Sequence, residues 1–272
     1  MRYVETDNDN LIMTWSINRP NRGNGLGTAV ASELSQQMQI LKEHLAEWEK
    51  DNFRKESAPC RVLVIDANLC GKKRDIWISG GDLKELATIK NNSDAKEYVQ
   101  AMSRICRDLE NLPIPVIACI GGAAIGGGVE FALAADMRFG CPKTSFQFKQ
   151  LTIGLSTGYS SSKRLIRLLG MAQTKQVLFL RQTLNAIESK NLGLLTNLYT
   201  SESELKAQVK SICTQLIEIE PSALAAQKKI LQLAFPPYSD EQEEKELELF
   251  ASLWLNPTHK AYLKHFIKSV DR

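Results

Sequence analysis

Apolar and polar positions alternate over residues 11–18, and Arg19, Pro20, Asn21, Arg22, Gly23, Asn24 and Gly25 then break the alternation. The pattern predicts a strand that runs into an irregular loop. Behind Thr28, a residue able to cap a helix, Val30, Leu34, Met38, Leu41 and Leu45 recur at helical spacing, which predicts a long amphipathic helix reaching Glu47. Residues 48–59 are charged and read as an extended, solvated connection, whereas residues 60–66 form an unbroken β-rich apolar run suited to a strand buried on both faces. Beyond a basic, solvated loop at Lys72, Lys73 and Arg74, residues 76–79 predict another strand, Gly80 and Gly81 a turn, and Asp82 the start of a helix that it caps. Residues 94–112 carry a second amphipathic helical pattern stopped by Pro113 and Pro115, and residues 116–120 a buried strand. This alternation predicts an α/β layered protein. From Leu205 onward the pattern is helical only, divided at Pro221, at Pro236 with Pro237, and at Pro257. A boundary near residue 200 therefore separates a core, residues 1–200, from a helical C-terminal region, residues 201–272.

Residues 114–135 are nearly uncharged and long enough to cross a bilayer, but they contain Pro115, Gly121, Gly122, Gly126, Gly127, Gly128 and Glu130. A lipid-exposed helix tolerates neither the glycine cluster nor the central carboxyl, so the stretch is read as strand, loop and buried helix, with no membrane partner.

Composition narrows the classes further. With Lys+Arg 34 against Asp+Glu 31 in 272 residues, the net charge of +3 excludes a strongly electrostatic nucleic-acid binder, and 43% hydrophobic residues mark an ordinary globular chain. Cys60, Cys70, Cys106, Cys119, Cys141 and Cys213 form no C-x-x-C pair, and the first ten residues are polar and acidic. Both features point to a reduced, cytoplasmic, untargeted protein. His44, His259 and His265 have no Cys, Asp or Glu at ligand spacing, so no metal is expected, and Ser79 with Asp82 lacks a histidine for a hydrolytic triad.

The candidate chemistry lies in two segments of one design, in which a buried strand ends in consecutive glycines and a helix follows at once: Ile78-Ser79-Gly80-Gly81-Asp82, and Ile120-Gly121-Gly122 through Gly126-Gly127-Gly128-Val129-Glu130. Helix N-termini present unpaired N–H groups, and glycine admits a ligand close to them. Two such ends converging make an oxyanion hole. Taken singly, each loop is explained as well by tight packing, and neither matches the G-x-G-x-x-G or P-loop nucleotide motifs.

Together these segments resemble the two signature regions of the enoyl-CoA hydratase/isomerase (crotonase) superfamily. The likeness extends from Asn18-Arg19-Pro20 and Asn24-Gly25-Leu26, through residues 78–86 and 115–136, to Phe146, Gly154, Lys163-Arg164-Leu165 and Leu169-Gly170. It implies a crotonase-like spiral of ββα turns with a helical C-terminal region that drives homotrimer or dimer-of-trimers assembly. It implies an acyl-CoA thioester as substrate, with coenzyme A as part of that substrate and no separate cofactor. The N–H groups of Gly81 and Gly127 are then expected to hold the thioester oxygen, one such donor being worth about 10²–10³ in rate. Glu130, three positions past Gly127 and flanked by Val129 and Phe131, is the expected acid/base. The plainer reading is a carboxylate that complements the helix dipole.

One departure from the family pattern stands out: the position where its hydratases carry a second catalytic Glu is Gln150, and an amide exchanges no proton at neutral pH. Gln150 can still orient a water or a polar acyl group. Hydration or dehydration of a 2-enoyl-CoA by Glu130 alone is the leading expectation, with acyl-CoA decarboxylation, or a catalytically weak acyl-CoA binder, as the alternatives. Tyr159, after Gly158, either donates to a substrate carboxylate or lies on a solvated turn before the next helix. Ser79, Gly80, Asp82 and Gly126 belong to the expected substrate loops. Arg22, Lys84 and, in the C-terminal helix, Tyr262, Lys264 and His265 are the positions the resemblance offers for the CoA phosphates and adenine.

Overall fold

The computed structural model describes residues 2–54, 57–69, 75–235 and 239–270. The Lys72-Lys73-Arg74 cluster, Cys70 and the Pro236-Pro237 break lie outside them. Strand β1 (Val4–Asp9) reverses through Asn10 and Leu11, both at positive φ, into antiparallel β2 (Ile12–Ile17). Two consecutive left-handed residues match the right-handed twist of a hairpin. Only Val4 of β1 is buried, so backbone pairing rather than an apolar face holds this edge strand.

Helix α1 (Thr28–Lys50) buries Val30, Leu34, Met38, Leu41, Leu45 and Trp48. Its N-cap residue is Gly27 rather than Thr28, whose N–H and hydroxyl instead donate to Glu85 at 2.7 and 2.9 Å. The helix also runs further than its charge pattern suggests. Trp48 is buried, donates to the Arg54 carbonyl and stacks edge-on with Phe53, so the segment after it is anchored where a solvated connection was expected.

Three successive turns of chain then repeat one course. Strand β3 (Val62–Ala67) joins a large sheet, β4 (Ile76–Ile78) a small one, and α2 (Leu83–Leu86) with α3 (Asn92–Asn111) closes the turn. Next come β5 (Val116–Ile120), β6 (Ala123–Ile125) and α4 (Gly127–Ala132), then β7 (Met137–Gly140), β8 (Ser145–Gln147) and α5 (Ser161–Phe179). After β9 (Thr183–Asn185), α6 (Ala186–Asn191) and β10 (Asn197–Leu198), the chain is helical: α7 (Glu202–Glu218), α8 (Pro221–Ala234), α9 (Asp240–Ser252) and α10 (Pro257–Val270). The large sheet has the order β1-β2-β3-β5-β7-β10 and the small sheet β4-β6-β8-β9. Each ββα turn thus adds one parallel strand to each sheet and advances the spiral.

The main core lies between the two sheets and α1 and α3, with Trp15, Trp77, Phe131, Phe146 and Phe148 fully buried. Leu247, Phe250, Trp254 and Leu263 of the C-terminal helices belong to the same core. A second cluster joins Val62, Val64, Ile117 and Phe139 to Leu205, Val209 and Cys213 of α7. The apolar stretch 114–135 forms β5, β6 and α4, and among the described residues no helix is long and apolar enough to cross a membrane.

Candidate active site

Parallel pairing of β4 with β6 brings the two glycine loops side by side. They touch so closely that side chains are excluded. A Cβ on Gly80, which has φ +81°, would lie 2.6 Å from the Gly127 nitrogen, and one on Gly128 would lie 2.1 Å from the Ile78 carbonyl oxygen. The N–H groups of Gly81 and Gly127 have no acceptor among the described residues. Both glycines line a cavity of about 160 Å³, with Ser79, Gly126, Glu130, Gln150, Tyr159 and Tyr262.

Glu130 is buried on the first turn of α4, and its carboxylate is the most heavily bonded group in the cavity wall. Oε2 accepts from the N–H groups of Gly158 and Tyr159, each at 2.9 Å, and from the Ser161 hydroxyl at 2.7 Å. Among the described residues, Oε1 accepts only from the Gln150 amide, at 3.0 Å. A carboxylate offers about four acceptor positions, so Oε2 is saturated and the free capacity lies on Oε1.

A loop wrapped around the carboxylate supplies these donors. Ser160, which follows the two N–H donors, takes a left-handed conformation, φ 56°, at the N-cap of α5, and Ser161, the first residue of that helix, adds the hydroxyl donor. From behind, Arg164 donates to the Tyr159 carbonyl at 2.6 Å and pairs with Glu110 at 2.9 Å. Ser160 and Ser103 share a hydrogen bond, and Ser103 donates to Glu243.

Gln150 is 7% exposed and orients its NH2 toward Glu130, as an acceptor-only carboxylate requires. Its carbonyl oxygen is buried with no partner. Tyr159 is 4% exposed, which replaces the solvated-turn alternative with a buried phenol. Burial, and then the neighbouring Tyr98, Glu130 and Cys106, push the Tyr159 phenol well above its ordinary pKa, so it stays protonated. Tyr98 stands against Gly81 and donates to the Leu26 carbonyl at 2.6 Å.

The remaining sequence candidates divide by position. Gly80 packs beneath the cavity on Gly127, and Asp82 caps α2 through the Lys84 N–H while its other oxygen pairs with Arg19 at 3.0 Å. Arg22 is largely exposed and 3.9 Å from Asp82. Lys84 and the exposed Lys264 and His265 are not among the residues lining the cavity. Residues that sequence reasoning missed also line it: Tyr98 on α3, Lys149, and Phe250 and Trp254, four apart on and just beyond α9. No local sequence pattern marks Tyr98, Phe250 and Trp254, since helix packing brings them to the cavity from distant parts of the chain. Among the described residues no cluster of three or more His, Cys, Asp or Glu side chains is arranged to hold a metal.

A ββα spiral whose paired glycine loops open onto a cavity with a buried carboxylate defines an acyl-CoA enzyme of the crotonase type. Residues 7–268 match the family described as enoyl-CoA hydratase/isomerase, and the chain belongs to that family. It is similar to the short-chain-enoyl-CoA hydratase of Clostridium acetobutylicum, 26% identical over 268 residues that cover 98% of this chain and 95% of the relative. It is also similar to the enoyl-CoA isomerase/hydratase fer4 of Mycosarcoma maydis, 29% identical over 218 residues, 80% of this chain and 75% of that protein. The crystal structure of an enoyl-CoA hydratase from Bacillus halodurans shares the fold at a TM-score of 0.82 and 22% identity, covering 97% of this chain and 100% of that one.

Proposed function

We propose that the protein hydrates a 2-enoyl-CoA, or dehydrates the corresponding 3-hydroxyacyl-CoA, with Glu130 as both base and acid. The observation that carries this reading is the free acceptor capacity of Glu130 Oε1 on a residue that lines the same cavity as Gly81 and Gly127. The thioester oxygen accepts from the two glycine N–H groups. A water at Oε1 gives one proton to Glu130 as its oxygen bonds to C3, and the C2=C3 electrons move to an enolate oxygen held by the two N–H groups. Glu130 then returns the proton to C2. The unpartnered Gln150 carbonyl oxygen accepts a hydrogen bond from the water's other O–H, which stays on the product, and so orients the water without exchanging a proton.

The amide at position 150 also favours a second reading, decarboxylation of a malonyl-type thioester through the same enolate, since that reaction needs no second proton-abstracting carboxyl. A protein that binds acyl-CoA without turnover is the third. Hydration of crotonyl-CoA, followed by loss of the conjugated thioester's ultraviolet absorbance, separates them. Turnover that falls at least about 10²-fold in Glu130→Gln supports the first reading. Carbon dioxide release from a malonyl-type thioester, without hydration, supports the second, and binding without either supports the third.

Exposed Ile230, Leu231 and Leu233 on α8 are consistent with assembly of the helical region into a trimer or dimer of trimers, which sedimentation measures directly. The free, buried thiols of Cys60, Cys106, Cys119, Cys141 and Cys213 suit a reducing, cytoplasmic compartment.

A further inference from the structure

The two loop glycines each have a phenol against them. A Cβ on Gly81 would meet the Tyr98 hydroxyl at 3.3 Å, and one on Gly127 would meet the Tyr159 hydroxyl at 3.0 Å and its Cε2 at 2.9 Å. The two phenols are not equivalent. Tyr98 spends its proton on the Leu26 carbonyl at 2.6 Å, while the Tyr159 hydroxyl has no hydrogen-bond partner among the described residues and lines the cavity. The Tyr159 ring cannot swing away easily. Its own N–H is bonded to Glu130, its carbonyl is held by Arg164, and the side chain is 4% exposed.

From this geometry we infer that Tyr159 is a third oxyanion donor, its phenol O–H reaching the thioester oxygen that the Gly81 and Gly127 N–H groups hold. The inference rests on the proposed acyl-CoA reading and adds to it a residue outside the glycine loops. An enolate oxygen has three lone pairs, and two backbone donors leave one open. The phenol stands against Gly127, which lines the cavity and whose N–H has no acceptor among the described residues, so its proton is offered within a few ångströms of an oxygen held there. Because burial keeps the phenol protonated, it donates without transferring its proton. Such a donor acts most strongly as negative charge develops, and so raises turnover more than affinity.

The test uses the full chain and butyryl-CoA, a saturated thioester that cannot be hydrated. Two quantities are read in the natural protein and in Tyr159→Phe: the carbonyl stretch of the bound, carbonyl-labelled thioester by difference infrared spectroscopy, and the rate of deuterium exchange at C2. In the natural protein the stretch falls below its value in solution. In Tyr159→Phe it recovers part of that shift, exchange slows about 10²-fold, and the dissociation constant changes less than about 3-fold. The variant's melting temperature does not fall, because a hydroxyl without a partner is removed. An unchanged stretch and exchange rate in a variant that binds butyryl-CoA normally overturns the inference while leaving the acyl-CoA reading intact. No binding, or no lowered stretch, in the natural protein overturns both. If Tyr159→Phe does not fold, a ring-fluorinated tyrosine at position 159 keeps the shape and strengthens the donor. The stretch must then fall further, and an unchanged stretch overturns the inference.

Discussion

Replacing Gln150 by Glu sets two carboxyl groups where the structure holds an amide nitrogen 3.0 Å from Glu130 Oε1. Two unit charges at that separation repel by about 5–6 kcal/mol at an effective dielectric constant of about 20. This is equivalent to about 4 pKa units. Oε2 of Glu130 is already filled by Gly158, Tyr159 and Ser161, so the repulsion falls on the Oε1 side, where the amide stands. The pair in Gln150→Glu therefore keeps one proton at neutral pH, with apparent constants that belong to the pair. The sign of the stability change follows. A carboxyl raised in the folded state contributes its full stability below the ordinary carboxylate range and loses it as pH rises through the raised value. Calorimetry at intervals from pH 4 to pH 9 is expected to show the variant matching the natural protein at the acid end and falling progressively behind it above about pH 5. In the same variant the shared proton supplies a second acid, and crotonyl-CoA hydration is expected to rise by as much as about 10²–10⁴. A melting-temperature difference that stays flat over this range would refute the shared-proton reasoning, because the two carboxyls would then not be in contact.

Three further outcomes follow from the same contacts. Gly128→Ala drives a methyl into the Ile78 carbonyl, a backbone atom that cannot move without parting the two loops; acyl-CoA binding by calorimetry is lost and the melting temperature falls by at least about 5 °C. Ser161→Ala removes a 2.7 Å donor from the Glu130 carboxylate; a loss of about 1.5–3 kcal/mol in urea unfolding is expected. Glu246 on α9 is pushed up to about 7 by burial and then by Glu130, and its Oε1 has no partner; Glu246→Gln is expected to raise the melting temperature at pH 8, with the gain vanishing toward pH 4, where the natural carboxyl is protonated whether folded or not.

Much of the fold was legible because burial writes it into local pattern. Residues 116–120 are apolar throughout and form β5, buried along its whole length, and Leu34, Met38 and Leu41 mark the buried face of α1. Strand β1 left no such mark, since Val4 alone of its six residues is buried. Strand β6 was hidden between glycines because pairing with β4 and β8, not local propensity, makes it a strand. At the site, the relation of Glu130 to Gln150 could be read twenty positions apart in the chain, but not the loop that saturates Oε2. That loop is held by backbone geometry and by Arg164 on the Tyr159 carbonyl, a contact that the likeness at Lys163-Arg164-Leu165 does not reveal. Tyr98, Phe250 and Trp254 reach the cavity through helix packing over long sequence distances, which no local periodicity encodes. Conversely Arg22, Lys84 and His265, offered by resemblance alone, fall outside the cavity lining.

In the proposed mechanism a thioester enolate forms in this cavity and Glu130 moves the proton at C2. Deuterium uptake from D2O at C2 of butyryl-CoA, followed by mass spectrometry in the natural protein and in Glu130→Gln, reads that step whichever final reaction the enzyme performs. Steady exchange is expected in the natural protein, with a fall of at least about 10²-fold in Glu130→Gln and butyryl-CoA still bound by both. Exchange that persists unchanged in Glu130→Gln, or bound thioester that never exchanges in the natural protein, would contradict that mechanism.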